Sequence, residues 1–114
     1  MSRRSSSAAA KIEHQAEIFA ALGDSTRLSL VSKLIDGQSH SISSLAEGSK
    51  ITRQAITKHL GVLEGIGLVT KVREGRESLY ELDPKPLKSL QEYLDIVSSQ
   101  WDVALLGLKQ FVEN

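Results

Sequence analysis

The sequence of 114 residues predicts a mainly α-helical domain carrying one small β-hairpin. Three observations predict it. Between Ala8 and Gly65 apolar residues recur at helical spacing, and around Glu74-Gly75-Arg76-Glu77 two short runs alternate, the first rich in β-branched residues. From Leu87 to Phe111 the apolar positions form a heptad seam. A hydrophobic fraction of 40% and a charged fraction of 25% suit an ordinary globular chain, and only 4% is aromatic, so its core must be aliphatic. There is no cysteine, which excludes disulfides, thiolate metal sites and a cysteine nucleophile. No apolar run is long enough to span a membrane. Arg3-Arg4 is followed by serines and alanines rather than an apolar block, so no secretory signal is expected and the localisation expected is cytoplasmic.

Residues 1–7 are small and polar and read as a disordered tail. Ile12, Ala16, Phe19, Ala20 and Leu22 then predict a helix that Gly23 stops. Asp24 or Ser25 can cap the next, over Thr26–Ile35, with Leu28, Val31, Leu34 and Ile35 on one face. Asp36-Gly37 turns the chain, and residues 41–48 fit a short helix with Ile42, Leu45 and Ala46 inward. Only Ser49-Lys50-Ile51 separates it from Thr52, the expected cap of a helix that buries Ile56, Leu60 and Leu63. Two helices joined by so tight a turn, the second with a polar, basic N-terminal face, form a helix-turn-helix pattern. After Gly65 and Gly67 the runs 68–73 and 78–82 predict a two-stranded hairpin behind it, a wing.

In the last segment Leu87, Leu90, Leu94, Val97, Trp101, Ala104, Leu108 and Phe111 alternate in steps of three and four. Tyr93, Ile96, Leu105 and Val112 widen the stripe. With Asp83 as cap and a first turn near Pro86 or Leu87, the helix would be about 40 Å long at ~1.5 Å per residue. Its apolar face exceeds what the preceding helices can cover, so a second copy is expected to pair along Leu87, Leu90, Leu94, Val97, Trp101, Leu105 and Leu108. The fold class is therefore a winged helix-turn-helix over residues 8–83 with a long C-terminal dimerisation helix over 84–114, in one compact domain.

The net charge is zero, yet Lys50–Tyr80 holds six bases against three acids, and Glu81 to the end three bases against six acids. The middle of the chain is thus the part suited to phosphate. Arg53, Gln54 and Thr57 are the candidates for base edges in the major groove. Thr52, Lys58, His59, Arg73 and Arg76 are candidates for phosphate or minor-groove contact. The plainer readings are a solvated helix face and arginines that keep a sheet edge soluble. A protein-interaction module is the alternative from another class. Catalysis has little to stand on, because the sequence has no glycine-rich phosphate loop, serine elbow or metal-ligand cluster.

The stretches Phe19–Arg27, Ser44–Ala46, Ile56–Leu60, Leu63–Val69 and Arg73–Arg76 followed by Tyr80 resemble the arsenical-resistance (ArsR/SmtB) family of winged-helix repressors. The resemblance covers roughly residues 16–83. It implies a cytoplasmic homodimer that binds a pseudo-palindromic operator in double-stranded DNA and represses a small operon including its own gene. The family's thiolate site would fall where this chain has Ser41 and Ser43, and hydroxyls bind soft metals poorly. Its C-terminal zinc site needs histidines, and none follows His59. No metal or other cofactor is therefore expected, apart from the alternative of an unrecognised oxygen and nitrogen site. The effector stays open.

Overall fold

The computed structural model describes residues 3–113. Five helices and three strands follow one another: α1 (Arg3–Leu22), α2 (Ser25–Leu34), β1 (His40–Ser41), α3 (Ile42–Ala46), α4 (Arg53–Gly65), β2 (Val69–Glu74), β3 (Glu77–Leu82) and α5 (Pro84–Glu113). Local chemistry sets most of the boundaries. Asp24 caps α2 by accepting from the Arg27 N–H, Ser41 caps α3 through Ser44, and Thr52 caps α4 through Ala55. At the other end of α4, Gly67 has φ 82° and its N–H reaches the Glu64 carbonyl while Leu68 N–H reaches the Leu63 carbonyl. That is a Schellman stop, and it also brings the apolar pair Leu63 and Leu68 into the core.

The core is aliphatic and central. Ile18 and Ala21 of α1, Leu30, Val31 and Leu34 of α2, and Leu45 of α3 meet Ile56, Leu60 and Leu63 of α4. Leu68, Val69 and Tyr80 close it from the sheet side, and Leu90 from α5. Two stripes differ from the expectation. On α1 the inward residues are Ile18 and Ala21, whereas Ile12, Ala16 and Phe19 lie outside. On α2 Leu28 and Ile35 are exposed and Leu30 is buried in their place. Both helices carry apolar residues on more than one face, so spacing alone did not say which face meets the core.

Three further boundaries are corrected. α1 begins at Arg3, so the disordered tail expected over 1–7 is helical from Arg3 on, and residues 1 and 2 lie outside the described residues. The Ser-Ala segment holds no glycine or proline to stop a helix that Ala8–Ala10 favours. α5 begins at Pro84, with the Asp83 carboxylate accepting from Lys85 N–H at 3.0 Å. Both prolines fall in the first turn, where no intrahelical acceptor is lost. The wing is not two-stranded: β1 pairs antiparallel with β3 (His40 opposite Tyr80, Ser41 opposite Leu79), giving the order β1-β3-β2. A two-residue strand carries no readable alternation, so only the tertiary pairing reveals it.

α5 runs through Ser98-Ser99 and Gly107 as one helix, about 45 Å long at ~1.5 Å per residue. Leu90 is buried in its own domain and Leu87 packs against the same core, so the first turns of α5 hold it to that domain. Beyond them Leu94, Trp101, Leu105 and Leu108 are exposed, at 49%, 63%, 57% and 59%, and Val97 is half-buried. Phe19 of α1 meets Tyr93 edge to face, with ring centroids 6.3 Å apart, and these two line a shallow pocket with Ile12 and Ala16. One apolar surface therefore runs from α1 onto α5.

Candidate nucleic-acid interface

The polar face of α4 is built by how the helix starts. Ile51, half-buried just outside the cap, and the buried Ile56 occupy the two ends of a hydrophobic staple around Thr52. With Ile56, Leu60 and Leu63 turned inward, Arg53, Gln54, Thr57 and Lys58 must point away from the core, and they line an open groove with Ile42 of α3. Thr57 donates its hydroxyl to the Arg53 carbonyl at 2.8 Å. Its donor is thus spent within the helix, and it presents a methyl group and an acceptor to a partner. Among the described residues Gln54 has no side-chain hydrogen-bond partner, so it keeps both its donor and its acceptor, the pair that bidentate adenine recognition uses. Thr52 spends its oxygen on the Ala55 N–H and retains its O–H for an outside acceptor.

The wing stands beside this face. Glu74 and Glu77 are opposite one another, leaving Gly75-Arg76 as a two-residue loop. Gly75 has φ 61°, and among the described residues no other residue type has positive φ, the arrangement of a turn with glycine at its first central position. This sends Arg76 to the tip, with Arg73 exposed on β2 opposite Ser78. Arg53 does not extend freely into the groove: its guanidinium donates to the Ser43 hydroxyl of α3. Ser41, Ser43, Arg53, Arg76, Glu77 and Ser78 together line a cleft of about 240 Å³. Ser41, Ser43 and Ser78 drew no expectation as DNA contacts, because nothing in their spacing announces that β1 will carry them to the wing.

His59 is the one candidate the structure turns inward. It is half-buried between α4 and the start of α2, with Nδ1 3.3 Å from a guanidinium nitrogen of Arg27 and 3.9 Å from the Asp24 carboxylate. Arg27 has only donors, so Nδ1 accepts there and the neutral ring carries its proton on Nε2. Arg27 Nε also donates to the Ala21 carbonyl at 2.9 Å. His59 thus ties α4 to the end of α1 and the cap of α2. The Arg27 backbone N–H holds the Asp24 carboxyl below its ordinary 3.8, with the charge of Arg27 adding to this against partial desolvation. Stability from a carboxylate so lowered is present above the ordinary value and is lost as pH falls through the folded one. Asp24→Asn should therefore flatten the acid side of a plot of melting temperature against pH below about 4. An unchanged acid limb would show that this cap does not contribute to it.

The other histidines lie beside carboxylates of their own segments. His40 Nε2 lies 2.9 Å from Asp36, with Nδ1 3.4 Å from Ser44, and His14 lies 3.9 Å from Glu17. Asp36 is held below its ordinary value chiefly by the Gln38 N–H and then by His40. Among the described residues no three His, Cys, Asp or Glu side chains are grouped as metal ligands, and no helix is long and apolar enough to cross a membrane.

A capped, polar helix set behind a short helix and flanked by a hairpin that carries Arg73 and Arg76 defines a winged helix-turn-helix of the DNA-binding class. The comparisons agree. Residues 22–72 match the model of a helix-turn-helix domain. The chain is 42% identical over 79 residues to the uncharacterized HTH-type transcriptional regulator YuzN of Bacillus subtilis, covering 64% of this chain and 86% of that one. To the HTH-type transcriptional regulator Rv2034 of Mycobacterium tuberculosis it is 34% identical over 94 residues, covering 82% and 84%. An ArsR-like transcriptional regulator from Rhodococcus sp. RHA1 superposes with a TM-score of 0.72 at 38% identity, over 88% of this chain and 93% of that one. The chain belongs to the ArsR family of winged helix-turn-helix transcriptional regulators.

Proposed function

We propose that the protein is a homodimeric repressor that binds a pseudo-palindromic operator, including one at its own promoter, without a metal at the thiolate or histidine positions of its family. The observation that carries this reading is the reading face itself: Gln54, Thr57 and Lys58 exposed on the first turns of α4, with the helix fixed at both ends. Gln54 and the Thr57 methyl address base edges. Thr52, Lys58, Arg73 and Arg76 hold the backbone or a minor groove. Dimerisation through the exposed face of α1 and α5 would present two reading helices to half-sites about one helical turn, ~34 Å, apart.

The test is a footprint upstream of the protein's own gene, followed by gel shifts with variants. Gln54→Ala should relax preference at one base pair of each half-site by about 1–3 kcal/mol while leaving non-specific binding intact. Equal losses on specific and random duplexes would remove Gln54 from the readers. A purified protein that protects no site upstream of its gene would overturn autoregulation.

A further inference from the structure

We propose that the cleft between α3, α4 and the wing tip is a single phosphodiester site, at which Arg53 and Arg76 grip the same backbone phosphate of the bound duplex. The inference rests on the DNA-binding reading and deepens it. Three separate elements converge on the cleft: Ser41 and Ser43 from the start of α3, Arg53 from the first turn of α4, and Arg76 and Ser78 from the hairpin. They meet only because β1 pairs with β3 and draws α3 against the wing. Apart from Ile42 the lining of the cleft is polar. Ser41 Oγ accepts from the Ser44 N–H and Ser43 Oγ accepts from Arg53, so both hydroxyls keep an O–H to donate outward.

The charges favour an anion. Among the described residues no carboxylate lies within 4 Å of either guanidinium, and the partner of Arg53 is a neutral hydroxyl. Glu77 is the one acid on the cleft, so two cations face one anion there. Arginine pairs with phosphate through parallel N–H donors, and a tetrahedral oxyanion also matches the remaining hydroxyl donors. The source of the phosphoryl group follows from position: Arg53 lines both this cleft and the groove of Gln54, Thr57 and Lys58. A strand lying along the groove therefore delivers a phosphate to the cleft. Arg53 becomes a residue that sets register between reading helix and wing, rather than one that reads a base.

The experiment uses the full-length protein and a duplex selected against it in vitro, with single neutral methylphosphonate linkages stepped along each strand. The expected result is one linkage per half-site whose neutralisation weakens wild-type binding about tenfold, the effect of losing charge-assisted bonds to one phosphate. Arg53→Gln and Arg76→Gln should each weaken binding to the unmodified duplex and each reduce the penalty at that same linkage. If the two variants lose sensitivity at different linkages, or Arg53→Gln changes base preference instead, the shared site is overturned. Thermal melts of both variants, whose side chains are exposed, separate these results from misfolding. Inorganic phosphate at constant ionic strength should not displace the duplex. Displacement in wild type but not in the variants would make the cleft a site for a free anion and overturn its assignment to DNA. Failure to select any duplex would instead sink the DNA-binding reading itself.

Discussion

Leu94→Glu combined with Leu105→Glu is expected to leave a folded monomer whose operator affinity falls on the order of 10²–10⁴-fold. Both side chains are about half exposed in the single chain, at 49% and 57%, so the charges replace apolar surface that the domain's own core does not use. The same face holds Trp101, Leu108, Phe111 and Val112, the last two at 80% and 74% exposure. A stripe of this extent left in water would be an unusual liability for a single chain, and a second copy related by a two-fold axis can cover it. Carboxylates facing their own symmetry mates across such an interface would be desolvated and mutually repelled. The affinity loss follows because a dimer binds its second half-site intramolecularly, and a monomer forfeits that effective concentration.

Sedimentation and gel shift check the two halves of this expectation. The lone tryptophan supplies a third readout: Trp101 emission should shift to the red on dilution of the wild type and be red-shifted at all concentrations in the double variant. A double variant that remains dimeric would place the interface elsewhere. The exposed patch around Ile12, Phe19 and Tyr93 would then be the surface to test next.

Leu60→Ala should cost about 2–5 kcal/mol, the range for truncating a fully buried leucine that leaves a cavity. Leu60 is completely buried and stands on α4 between Ile56 and Leu63, directly behind the reading face. For a domain of this size the midpoint of thermal unfolding should fall by roughly 10–20 °C at fixed protein concentration. DNA binding at temperatures below the new midpoint should weaken as well, because the cavity loosens the helix that carries Gln54 and Thr57. Leu60→Met conserves volume and should cost under about 1.5 kcal/mol. If Leu60→Ala melts like the wild type, the packing of α4 described above is wrong.

Much of this was legible in the chain because it is governed by neighbours in sequence. Thr52 caps its own helix, Gly67 closes it two residues past its last residue, and Gly75 makes the hairpin loop. Each is decided by a backbone conformation or a hydrogen bond spanning a few residues. The polar face of α4 was legible for the same reason, since a helix that buries Ile56, Leu60 and Leu63 has only one way to point Gln54 and Lys58. The family resemblance rested on these same stretches.

What was not legible depends on partners distant in sequence. Spacing places Leu87 and Leu90 in the same seam as Leu94 and Trp101, but only the docking of α5 on its own core separates buried from exposed. His59 looked like one more polar residue of the reading helix until Arg27, 32 residues away, was found against its ring. Likewise, a two-residue strand has no pattern of its own, yet its pairing with β3 carries Ser41 and Ser43 to the wing and turns Arg53 toward them. The sequence by itself determined the helices, the caps, the hairpin and the reading face, because these are short-range consequences of propensity and hydrogen bonding. Only the tertiary structure decided which apolar faces are left uncovered and which cations share one cleft, because those depend on long-range packing that local spacing does not encode.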